Sequence, residues 1–129
     1  MRRVIIESPF GKNPDGSPAD DATIARNVRY LKACLADSIR RGEAPFASHG
    51  LYPGSLDDRN PAERKMGMEA GWAWHEVADA VIVYEDLGIT PGMLAGVANA
   101  QKLGKSVEYR RLPNRPLLES LLPARAEAS

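Results

Sequence analysis

Along the chain, short β-branched apolar runs alternate with longer stretches in which apolar residues recur every three or four positions. Val4-Ile5-Ile6 is the first such run; it ends at Glu7-Ser8-Pro9 and reads as a buried strand. Residues 11–20 are rich in turn formers and read as a loop. Asp20-Asp21 then offers a helix N-cap. Ile24, Val28, Leu31, Leu35 and Ile39 follow on one face of an amphipathic helix. Arg40-Arg41 complement the dipole of its last turn, and Gly42 stops it. Ala44 to Ser48 is a weaker strand, because Pro45 is tolerated only near a strand start or edge. Asn60-Pro61-Ala62-Glu63 puts Asn at the N-cap, Pro at the first helical position and Glu two residues on, and predicts a helix to about Val77. Asp79 to Tyr84 is the strongest strand, too continuously apolar to have one wet face. Thr90-Pro91 repeats the cap-then-proline start, for a helix through Leu103 that Gly104 ends. Ser106 to Tyr109 is a fourth strand.

The order β-α-β-α-β-α-β predicts an α/β domain over residues 1–112: a small three-layer parallel sheet of order 2-1-3-4. Residues 113–129 read as a tail, with one short helix at Leu117 to Leu121 and a frayed, Ala-rich end. At 129 residues the chain is one domain's worth and needs no metal or disulfide to hold a core.

Charge narrows the classes of function. Seventeen basic residues balance seventeen acidic ones, so the footprint of a nucleic-acid binder or a polybasic membrane anchor is missing. No apolar run is long enough to span a bilayer, and the start reads as a strand and not as a signal sequence. These features predict a cytoplasmic protein. Cys34 is the single cysteine and reads as a small core or half-buried thiol. With two separated histidines and no cysteine cluster, neither a metal nor a cofactor is expected.

In open parallel sheets, ligands sit beyond the carboxyl ends of the strands where the order reverses. For order 2-1-3-4 that point lies between strands one and three. Ser8, Pro9 and Phe10 follow strand one; Tyr84 and Gly88 end strand three and its turn; Thr90, Gly92 and Met93 open the third helix. The helix start offers unpaired N–H groups to an anion, and Gly92 presents no side chain to block it. Neither a Walker loop nor the dinucleotide glycine fingerprint occurs. Glu7 is either a salt-bridged strand end or a carboxylate that meets a sugar. Asp86, beside Glu85, is either a loop charge or an acid with a raised pKa. His49, at the end of strand two, is a candidate acid, base or phosphate donor. His75 reads as structural or exposed. Trp72 and Trp74, two residues apart, cannot share a helix face, so one is expected in the core and the other at an interface or against a base.

Val77 to Val83, Gly92 to Ala100 and Gly104 to Val107 together resemble the nucleoside 2-deoxyribosyltransferase-like group, which includes the deoxynucleoside-monophosphate N-glycosidases. Ile5 to Phe10 fits the same pattern, and the resemblance covers about residues 3–110. It implies a flavodoxin-like fold, often a homodimer or higher homo-oligomer, with a nucleoside or nucleotide ligand shared between subunits. In one respect the sequence departs from the group. The position of the nucleophilic glutamate reads Leu94, which cannot attack an anomeric carbon. The group's aspartate falls near Gly71, which leaves Glu69 as a substitute. Arg41 to His49 and Val107 to Arg110 also resemble a family of small bacteriophage proteins.

Three functions are then open: an enzyme acting on a nucleoside or nucleotide N-glycosidic bond, with Glu7, Glu69, Glu85 or Asp86 as the acting carboxylate; a non-catalytic nucleotide (signal) binder of phage origin; and a structural or partner-binding protein with no small ligand.

Overall fold

A computed structural model of the chain describes residues 1–113. The expected helix at 117–121 and the frayed end lie outside those residues. Four strands, β1 (Arg3–Glu7), β2 (Ala44–Phe46), β3 (Ala80–Tyr84) and β4 (Ser106–Arg110), form one sheet of order β2-β1-β3-β4. Every pairing is parallel, with Ile5 opposite Phe46 on one side and Val81 on the other. Helices α1 (Asp21–Arg40), α2 (Pro61–Ala73) and α3 (Pro91–Lys102) make the crossovers. This is the α/β architecture and strand order that the alternating pattern predicts.

The helix starts follow from their caps. Asp20 accepts from the Thr23 N–H at 2.7 Å, Asn60 from Ala62 and Glu63, and Thr90 from Met93 at 3.3 Å. Gly42 and Gly104, both at positive φ, turn the chain out of α1 and α3.

Side chains alternate across the sheet, so each strand feeds two cores. Val4, Ile6, Ala80, Ile82 and Tyr84 pack with Tyr30, Leu31 and Cys34 of α1. Ile5, Val81 and Val83 face α3, against Met93, Val97 and Ala100. By the same alternation Glu7, two residues after Ile5, points to the α3 side.

In one respect α1 departs from the sequence reading. Its buried face is Asn27, Tyr30, Leu31, Cys34, Asp37 and Ser38, while Ile39 is 60% exposed. The helix is rotated from the predicted stripe because its polar residues find partners in the fold. Asn27 donates to the Phe10 carbonyl at 2.7 Å, Asp37 accepts from the Tyr84 hydroxyl at 2.6 Å, and Ser38 donates to Glu43 at 2.9 Å. Burying a bonded polar group removes the penalty on which the apolar pattern relies. No helix among the described residues is long and apolar enough to cross a membrane.

Candidate functional site

Beyond the carboxyl ends of β1 and β3 lies a cleft with a void of about 110 Å³. Its floor is the end of β1 and the start of α3. Its roof is the segment after β2, two 3-10 turns over Ser48–Gly50 and Tyr52–Gly54, followed by α2. Gly71 lets α2 close on this segment, since a Cβ there would stand 2.9 Å from the Ser48 Cβ. Phe10, Tyr52, Met68, Trp72 and Met93 give the cleft apolar and aromatic walls. Glu7, Ser8, His49, Arg64 and His75 give it polar groups. A few converging polar groups in an apolar pocket are what a small-molecule site requires.

Ser8 and Gly92, distant in the chain, do share this crevice, because β1 and β3 are sheet neighbours. Phe10, His49, Thr90 and Met93 line it with them. The remaining predicted site residues lie elsewhere. Pro9 is buried beneath the turn after β1 and does not line the cleft. Tyr84 faces α1, where its hydroxyl bonds Asp37. Gly88 packs on Pro14, away from the opening. Asp86 accepts from the Tyr30 hydroxyl at 2.6 Å and from the Leu112 N–H at 3.1 Å, so its carboxylate ties α1 to the chain after β4. Glu69 stands on the outer face of α2, 59% exposed and 3.8 Å from Lys65. Neither Asp86 nor Glu69 reaches the cleft, so neither is placed to act on a ligand there.

Of the predicted carboxyls Glu7 is the one that reaches it; Asp58 and Glu63 line the cleft as well. The Glu7 side chain is 15% exposed and makes no hydrogen bond among the described residues. The closest basic atom is His75 Nε2, at 3.9 Å. Burial without a partner penalises the charged form and pushes the Glu7 pKa up to about 8. The carboxyl rests on α3 at Gly96, where a Cβ would stand 2.6 Å from its Oε2.

His75, in the 3-10 turn Trp74–Val77 that follows α2, is only 1% exposed and lines the cleft beside Glu7. The Asn99 Nδ2 lies 2.8 Å from His75 Nδ1 and 3.5 Å from the Trp72 carbonyl. An amide nitrogen facing a carbonyl must donate, so Nδ1 accepts and the ring proton sits on Nε2, toward Glu7. Burial lowers the His75 pKa, which keeps the ring neutral. The sequence pattern missed this residue: nothing at Trp74-His75-Glu76 marks it, and its partner Asn99 is on another helix.

Ser8 and His49 form a second pair, with Oγ and Nε2 2.7 Å apart. Burial lowers the His49 pKa to about 4, so the pair is neutral and ties the end of β1 to the roof. Trp72 is half-buried in the cleft wall, while Trp74 is exposed outside it and packs on Phe46 with ring centroids 5.1 Å apart. Leu94 points away from the cleft, 55% exposed. At the mouth, Arg64 pairs with Asp58 at 3.2 Å and stands over Gly92 at the start of α3. Among the described residues no cluster of His, Cys, Asp or Glu is arranged to hold a metal.

The fold is that of a solved structure, a 2-deoxyribosyltransferase from Bacillus psychrosaccharolyticus. The likeness covers 92% of this chain and 81% of that one, with a TM-score of 0.56 at 16% sequence identity. No curated protein matches the sequence. A family model described as a domain of unknown function, DUF7768, matches residues 2–110, and the chain belongs to that family.

Proposed function

We propose that the chain hydrolyses the N-glycosidic bond of a nucleoside or nucleoside monophosphate, with Glu7 as the acting carboxyl. The observation that carries this reading is the half-buried Glu7 carboxyl, 15% exposed and without a hydrogen-bond partner among the described residues, in an aromatic-walled cleft beside a neutral imidazole N–H. The fold shared with a 2-deoxyribosyltransferase supports a nucleoside as ligand.

With a pKa near 8, Glu7 is protonated at neutral pH and suited to general acid work. In this reading the bond between C1′ and the base nitrogen breaks, its electron pair leaves with the base, and the Glu7 proton goes to the base. The carboxylate formed faces the positive charge that develops at C1′. The His75 Nε2–H steadies that carboxylate. Water then adds to C1′ and returns its proton to Glu7. Phe10, Tyr52 and Trp72 are assigned the flat faces of the ligand. A phosphate, where present, is assigned to the first N–H groups of α3 at Gly92 with the Arg64 guanidinium beside them.

A second reading, a nucleotide binder without turnover, is favoured by one observation: α3 carries an outward-facing leucine, Leu94, where the resemblance calls for the nucleophile. Incubation with a panel of nucleosides and nucleoside monophosphates, with chromatography for free base, separates the two. The expected result is base release by the wild type and none by Glu7→Gln, with binding retained within about tenfold, or roughly 1.4 kcal/mol. A rise in melting temperature without base release selects the binder. Neither release nor a thermal shift removes both readings.

A further inference from the structure

We propose that residue 7 of β1 and residue 96 of α3 share one carboxyl seat: the bare Cα of Gly96 is what admits the Glu7 carboxyl to the cleft wall, and a glutamate at 96 would deliver its own carboxyl to the same place once residue 7 is shortened. The functional half of this inference rests on the reading of Glu7 given above; the structural half does not.

The geometry is specific. A Cβ on Gly96 would stand 2.6 Å from Oε2, 2.8 Å from Cδ and 3.0 Å from Oε1 of Glu7. The whole carboxyl therefore lies against α3 at the point where any other residue would begin its side chain. Apart from proline, glycine is the least favourable residue within a helix, yet Gly96 is buried in the interior of α3. The close approach of Glu7 accounts for it.

Reach makes the exchange feasible. Within a glutamate side chain, Cβ and Cδ are separated by two C–C bonds of about 1.5 Å, or about 2.5 Å in all. The seat's Cδ position is 2.8 Å from the Cβ position of residue 96. A glutamate there is thus the right length to place its carboxyl where that of Glu7 now lies. Position 94 is not, because residues two apart on a helix point roughly 200° from each other, and Leu94 faces out.

The other wall of the seat does not depend on β1. His75 faces it at 3.9 Å, and the amide that orients His75 is that of Asn99, one helical turn beyond Gly96. Whichever element carries the carboxyl meets the same imidazole N–H. Gly96 is a positioning residue in this scheme, acting on Glu7 through the space it leaves.

The test is a 13C NMR titration of glutamate carboxyls in four proteins: the wild type, Gly96→Ala, Glu7→Ala, and Glu7→Ala with Gly96→Glu. Base release is measured on the same samples. The wild type is expected to show one glutamate with a midpoint near 8. That signal disappears in Glu7→Ala and returns, at a midpoint clearly above the ordinary carboxylate range, in the double variant. Gly96→Ala pushes the flexible carboxyl out and drops the Glu7 midpoint by about a unit or more. Base release in the double variant should exceed that of Glu7→Ala by about tenfold. A double variant whose glutamates all titrate in the ordinary range overturns the shared seat. So does a Glu7 midpoint unmoved by Gly96→Ala, which decides the matter if the double variant does not fold. If the wild type releases no base, the N-glycosidase reading falls while the titration still judges the seat.

Discussion

Glu7, the last residue of β1, and Glu43, beside the start of β2, are two largely buried carboxyls held in opposite charge states. Glu43, just before β2 on the α1 side, accepts both Arg110 nitrogens at 2.7 Å, Arg2 at 2.6 Å and Ser38 at 2.9 Å. The bidentate Arg110 bond, helped by Arg2 and Ser38, outweighs burial and pulls its pKa down to about 2. Glu7, on the α3 side, has none of these partners, and burial alone raises it to about 8. The Glu43 side chain is 7% exposed and that of Glu7 15%, yet Glu7 is packed far more deeply among protein atoms. Deeper packing and the lack of donors together separate it from Glu43. One carboxylate is satisfied and holds the fold; the other is left unsatisfied where a ligand would meet it.

The two acids should also act on stability in opposite pH windows. Between about 4.5 and 8, Glu7 is protonated in the folded chain and ionised in the unfolded one. Its contribution is present below about 4.5 and is lost as pH rises through 8. For Glu43 the folded pKa lies below the unfolded value, so its contribution is present above about 4.5 and is lost as pH falls through 2.

The largest expected effect falls on Glu7. Glu7→Gln should lower base release by roughly 10²–10⁴-fold, the usual worth of a general acid, measured as initial rates. In thermal melts the same variant should gain on the wild type as pH rises from about 5 to 8 and then hold its lead. A gap that shrinks over that range would make Glu7 a paired acid like Glu43. Wild-type turnover itself should hold below about pH 8 and fall above it, since the acting form is the protonated one. Next comes Glu43→Gln, which leaves the buried Arg110 without its bidentate partner. It should cost about 3–5 kcal/mol in denaturant unfolding. Loss of base release in protein that is still folded would break the division between the two acids. Ser8→Ala should be milder, about 1 kcal/mol for one neutral hydrogen bond, with the pH profile unmoved. Smallest is Leu94→Glu. On an exposed helix face it should shift stability by no more than about 0.5 kcal/mol and leave base release unchanged.

Local rules made much of the fold legible. The β-branched runs, the Asn60-Pro61 and Thr90-Pro91 starts and the Gly42 and Gly104 stops mark elements that the structure contains. Strand order alone places Ser8 and Gly92 at one sheet edge, and both line the cleft. The face of α1 was not legible, because Asn27, Asp37 and Ser38 are buried by virtue of partners far away in sequence. The site was half legible for the same reason. Glu7 was marked by its place at the end of a buried strand. Asp86 bears the same outward signs, yet its oxygens are bound by Tyr30 and Leu112. His75 carried no sign at all, since its neutrality comes from burial in the fold and its orientation from Asn99 and the carbonyl of Trp72. Sequence pattern reports which residues are apolar; it does not report which polar residues have been answered.

Cys34 has a practical consequence. It is the only cysteine in the chain, wholly buried where α1 meets the sheet, and burial drives its thiol well above the usual range. A thiolate-seeking reagent therefore finds no target until that layer comes apart. The chain carries its own clock for opening: the rate of alkylation under native conditions should track the parting of α1 from the strands, read by mass, with no label introduced.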